Sequence, residues 1–93
     1  MTDEQVLKRA ITLGVEAEKF IQSSLGKELI GRAHEEIDQA VKKLKAHDPT
    51  DSKGIAALQN EIWRAESFIT WLGIIVDEGL NSVEQLNPDY GDE

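Results

Sequence analysis

Phe68-Ile69-Thr70-Trp71-Leu72-Gly73-Ile74-Ile75-Val76 decides how this chain folds, because seven of its nine residues are large and apolar. The run lies inside a longer helical pattern. Ile55, Leu58, Ile62, Ala65, Ile69, Leu72 and Val76 recur at alternating spacings of three and four, the a/d seam of a coiled-coil-like pairing. One such stripe buries one face of a helix, so apolar residues nearly all round predict more than one surface to bury against. The pattern predicts a helix over about residues 50–79, with Gly79 as its natural stop. Trp63, Phe68, Trp71, Ile74 and Ile75 lie off the seam and need a second partner.

Upstream of this helix, His47-Asp48-Pro49-Thr50-Asp51-Ser52 reads as a tight turn. Pro49 keeps Asp48 out of helical geometry and suits the first turn of the next helix. Before the turn, Leu29, Ile30, Ala33, Ile37, Ala40, Val41 and Leu44 form one apolar stripe over about residues 25–46, and that stripe is the expected partner of the seam. Thr2-Asp3-Glu4-Gln5 fits the capping-box pattern and starts a helix over about 3–22. Gly14 inside it costs about 1 kcal/mol relative to alanine, which marks either a close helix contact or a weak point. Ser23-Ser24 supplies a break, with Gly26 loosening the junction. Asn81 or Ser82 caps a short turn through Leu86. The expected organisation is one helical domain over residues 1–86 and an irregular acidic tail over 87–93.

Composition narrows the function classes. A 93-residue chain buries a modest share of its surface when it folds alone, and self-association supplies more. With no cysteine there is no disulfide, thiolate zinc site or iron–sulfur cluster, which suits a reducing compartment. The opening residues are polar and acidic where a secretory signal needs a basic start and an apolar run. The nine-residue apolar run falls well short of the roughly 20 residues that cross a bilayer. The net charge of -8 is uneven: residues 1–64 hold all ten Lys and Arg with eleven Asp and Glu, whereas 65–93 hold seven acids and no base. Nucleic-acid binding draws on Lys and Arg meeting phosphates, and nothing larger than Lys42-Lys43-x-Lys45 is present. Direct nucleic-acid binding and membrane insertion are therefore not expected.

The short motifs carry little chemistry. Gly26-Lys27-Glu28-Leu29-Ile30-Gly31-Arg32-Ala33 spaces two glycines as a phosphate loop does, but has Arg-Ala where Lys and a hydroxyl residue are required, and no strand precedes it. Ser24-Leu25-Gly26-Lys27 matches the nucleophile tetrad of penicillin-recognising enzymes without their further motifs. His34 and Asp38 share a helix face, beside Glu35, yet two ligands make no metal site. Gly31 also occupies the place, three residues before His34, where a ferritin-like motif needs Glu. No Ser, His and Asp are spaced as a triad. The chain is expected to be non-enzymatic and to need no cofactor.

Ile55-Ala56-Ala57-Leu58-Gln59-Asn60-Glu61-Ile62-Trp63-Arg64-Ala65-Glu66-Ser67-Phe68, with Trp71-Leu72 close behind, resembles short helical proteins encoded by tailed bacteriophages and prophages. The likeness takes in Leu25-Gly26, Arg32-Ala33 and the Asp48-Pro49 turn, and covers roughly residues 15–80. It implies a phage origin and carries over no functional residue. A viral source raises two readings, a virion or packaging component and a small inhibitor of a host system.

The resulting expectation is an all-α protein: a long antiparallel hairpin of the second and third helices, the first helix alongside, and an oligomer. Its interface is the aromatic face of Trp63, Phe68, Trp71, Ile74 and Ile75, which otherwise would cover the first helix inside a monomeric core. The expected role is structural or assembly-related, with further copies, a virion protein or a host protein as partner, in the host cytoplasm or the virion. The alternative is a small acidic inhibitor that binds a host nucleic-acid-handling or defence protein. Its acidic surface would be Asp77, Glu78, Glu84, Asp89, Asp92 and Glu93.

Overall fold

The computed structural model describes residues 2–87, which form three α-helices and no strand: α1 (Asp3–Gln22), α2 (Ser24–Ala46) and α3 (Ser52–Leu86). The all-α class and the helical hairpin agree with the sequence pattern. Thr2 caps α1 through a reciprocal pair of bonds: Gln5 N–H donates to Thr2 Oγ1 at 3.2 Å and Thr2 N–H to Gln5 Oε1 at 2.9 Å. No helix among the described residues is long and apolar enough to cross a membrane.

A single residue separates α1 from α2. Ser23 adopts an extended backbone, and its hydroxyl donates to the Phe20 carbonyl at 2.6 Å while accepting from Gly26 N–H at 2.9 Å. One side chain thus closes one helix and opens the next. Gly26 tightens this junction where flexibility was expected. A Cβ there would fall on the Phe20 carbonyl oxygen, so the chain can turn this sharply only with hydrogen at that position.

α3 is 35 residues long, about 52 Å at 1.5 Å per residue, and sets the 56 Å long axis of the molecule. α2, with 23 residues, is too short to cover it. The seam is therefore shared: its N-terminal half lies on α2 and its C-terminal half on α1, both antiparallel to α3. The expectation that the seam packs on α2 alone holds for one half. α1 and α2 follow one another along α3, so the fold is two helices thick throughout.

Gly79 does not stop α3. Every described glycine has an ordinary negative φ, and the helix runs on to Leu86. Gly79 instead faces Gly14, so close that a Cβ on either would lie 3.0 Å from the other's Cα. Two glycines let the helix axes approach more closely than side chains permit.

This geometry leaves a thin core. Among the described residues the buried ones are Gly14, Ala17, Gly26, Ala33, Ala40, Ala65, Gly79 and Ser82, none larger than serine. Ile55, Leu58, Ile62, Ile69, Leu72 and Val76 of the seam are only half-buried. Two crossing helices cover their line of contact and leave both flanks open. The radius of gyration is 18.4 Å, against about 12 Å for a compact domain of this length.

Candidate functional site

The five residues of the expected aromatic face do not share one exposed surface. Helical periodicity places Trp63, Ser67, Thr70 and Ile74 on the side of α3 away from Ala65 and Gly79, with Trp71 on the adjoining flank, about 80° from Gly79 at 3.6 residues per turn. Trp63 is 64% exposed, Trp71 62% and Ile74 46%. Phe68 and Ile75 turn inward. The Phe68 ring meets Phe20 of α1 edge-on, with centroids 6.5 Å apart and planes at 90°, so it belongs to the packing within the chain. Ile75 is half-buried, and its carbonyl lies at the Gly14 contact. The outer face thus reduces to Trp63, Trp71 and Ile74.

Ser67 lies midway between the two tryptophans along α3. Its hydroxyl donates to the Trp63 carbonyl at 2.7 Å. The group is satisfied within its own helix, and covering it would strand no donor.

The flank of α1 and α3 carries a second apolar surface that sequence reading did not single out. Ile11, Val15, Val76, Leu80 and Val83 ring the Gly14–Gly79 contact, with Val15 and Leu80 exposed. Val6 and Leu13 are exposed on the opposite side of α1. The signal was present in the breadth of the α1 stripe, whose apolar residues exceed what one neighbouring helix can cover.

Asp77, Glu78 and Glu84 stand exposed on the C-terminal half of α3. Asp89, Asp92 and Glu93 lie outside the described residues. The lysines Lys42, Lys43, Lys45 and Lys53 gather at the opposite end, around the turn. These lysines stand among Asp38, Asp48 and Asp51, so the turn end is mixed in charge, while the C-terminal half of α3 carries acids and no base.

At the turn, His47 Nε2 and Asp51 Oδ2 are 2.8 Å apart, and Asp51 Oδ1 accepts from Gly54 N–H at 3.1 Å to cap α3. Asp48 accepts from Thr50 N–H at 2.9 Å and from its hydroxyl at 2.7 Å. The His47 ring beside Asp51, and the Thr50 N–H and hydroxyl at Asp48, hold both carboxyls below their ordinary 3.8. Groups depressed on folding stabilise fully above that value, and the contribution is lost as pH falls through the lowered ones. Asp51→Ala is expected to lower the urea midpoint at about pH 6 and to do so less at about pH 2.5. A pH-independent gap between variant and parent would remove the carboxylate from the stability of the turn.

Among the described residues, no three His, Asp or Glu side chains gather as metal ligands. His34, Glu35 and Asp38 are solvated on α2. The open cleft between α2 and α3, lined by Leu29, Arg32, Ala33, Glu36, Arg64 and Phe68, pairs no nucleophile with a base. No protein-family model, curated protein or solved structure matches the chain.

Proposed function

We propose that this chain is a non-enzymatic structural or assembly protein that associates with further copies of itself through the outer face of α3. The observation that carries the reading is the mismatch between core and surface. Among the described residues nothing larger than serine is buried, while both tryptophans, the largest apolar side chains present, stand in solvent. The accessible surface of 7145 Å² exceeds the roughly 5,400 Å² of a compact protein of this mass. That excess of roughly 1,700 Å² is about twice what one partner contributes to a standard interface. The resemblance to tailed-phage helical proteins supports a virion or packaging accessory as the setting.

Sedimentation equilibrium tests the reading. The mass is expected to be a multiple of 10.4 kDa at about 10 μM, as a standard interface of micromolar or tighter affinity requires. A 10.4 kDa species persisting at about 100 μM would sink it. The exposed carboxylates Asp77, Glu78 and Glu84 support a second reading, an acidic surface seated in a basic groove of a host protein. Such a complex dissociates steeply with added salt, and an apolar self-interface does not.

A further inference from the structure

We infer that two copies pack α3 against α3 in antiparallel fashion, on a two-fold axis passing beside Ser67. This geometry rests on the self-association proposed for the outer face and specifies it. A two-fold interface must match one patch to itself, so residues equally spaced on either side of the axis become neighbours. Trp63 and Trp71 lie four residues before and four after Ser67. With the axis there, Trp63 of each copy meets Trp71 of the other, twice over, in the offset or edge-on arrangements that indoles favour. Ile74 then lies opposite Asn60, seven residues from the axis on the other side. The residue at the centre is small and already hydrogen-bonded within its own helix.

Charge selects the antiparallel sense. Lys53 and Glu78 both lie on the outer face, fourteen residues before and eleven after Ser67. Antiparallel packing brings Lys53 within one helical turn of the second copy's Glu78. It also sets the turn end, where Lys42, Lys43, Lys45 and Lys53 stand among Asp48 and Asp51, beside the wholly acidic C-terminal half of the second copy's α3. Parallel packing instead opposes Glu78 to Glu78 and aligns the two acidic ends, a like-charge arrangement that interfaces avoid. The axis at Ser67 overlaps nearly the whole of α3 with its counterpart, since the helix extends fifteen residues before it and nineteen after.

The chain has no cysteine, so single-cysteine variants report directly on this geometry. Helices packed at an interaxial distance of about 8–10 Å bring Cα atoms within disulfide range only where the two residues face each other at the same level. Under mild oxidation Ser67→Cys is expected to form a linked dimer in high yield. Ile74→Cys is expected not to, because its own counterpart lies about 21 Å away along the axis. A mixture of Asn60→Cys and Ile74→Cys chains is expected to give the mixed dimer. Helical content by circular dichroism confirms that each variant is folded. Self-linking of Ile74→Cys as readily as Ser67→Cys would establish a parallel pair and overturn the inference. A dimeric mass without Ser67→Cys linkage would overturn it too, by moving the interface elsewhere on the chain. A monomeric mass is a separate result, which removes the underlying proposal as well. Lys53→Glu is expected to weaken the dimer about tenfold at low salt, and Glu78→Lys in the same chain to restore it. A loss that Glu78→Lys fails to rescue counts against the antiparallel sense.

Discussion

Gly79→Leu is expected to prise α1 away from α3 and destabilise the chain by about 3 kcal/mol or more, near the upper end of what overpacking costs. The reason lies in what surrounds the position. A Cβ at Gly79 would stand 3.0 Å from Gly14 Cα and 3.1 Å from the Ala10 carbonyl oxygen, both of them backbone atoms. No side chain can rotate aside, so the whole of α1 must move, and Phe20 loses its edge contact with Phe68 in the process. Gly14→Leu acts in the same way from the other side, against Gly79 Cα at 3.0 Å and the Ile75 carbonyl oxygen at 3.3 Å. Gly31→Ala provides the contrast: a Cβ there meets nothing within 4 Å, and removing a mid-helix glycine should add about 1 kcal/mol. Urea unfolding at one fixed protein concentration, which controls for association, reads all three. Equal midpoints for the Gly79 and Gly31 variants would mean that the close helix contact does not form in solution.

Trp63→Ala with Trp71→Ala is expected to dissociate the assembly. Both side chains are more than three-fifths exposed, so within an isolated chain their removal costs little. Across an interface each behaves as an aromatic anchor worth about 2 kcal/mol or more, and a two-fold dimer carries each twice, so the double variant weakens association by about a thousandfold at the least. Sedimentation should then give 10.4 kDa where the parent is a multimer, and the melting temperature should lose its dependence on concentration. Phe68→Ala should differ: the ring is held against Phe20, so the variant loses about 2 kcal/mol of stability within the chain. If the double tryptophan variant keeps the parental mass and merely melts earlier, the outer face of α3 is not the interface.

The elements that were legible in the sequence are those fixed by local chemistry. The hydroxyl and amide of Thr2 and Gln5 mark the start of α1, and Pro49 fixes the turn, because each acts on backbone within a few residues of itself. The glycine at 79 shows the limit of such reading. Glycine ends a helix by adopting a left-handed backbone, and here packing against Gly14, 65 residues away, keeps it helical instead. The a/d seam likewise records that a face is covered and not by which helix. Counting length would have helped, since a helix of 35 residues outruns one of 23 and must borrow a second neighbour. The aromatic set was separable too: Phe68 and Ile75 are seven residues apart and share one face, while Trp63 and Ile74 fall on another.

The break at Ser23 has a consequence for how the chain is made. The turn at His47–Asp51 joins neighbours four residues apart, so α2 and the first half of α3 can zip together from it at little entropic cost. α1 is synthesised first, yet the glycine it packs against comes 65 residues after Gly14, about 3–13 s later at ordinary rates of translation. Through that interval α1 has its cap but no neighbour, and Ser23 acts as a hinge on which it waits. The earliest of the three helices to leave the ribosome is thus the last to dock.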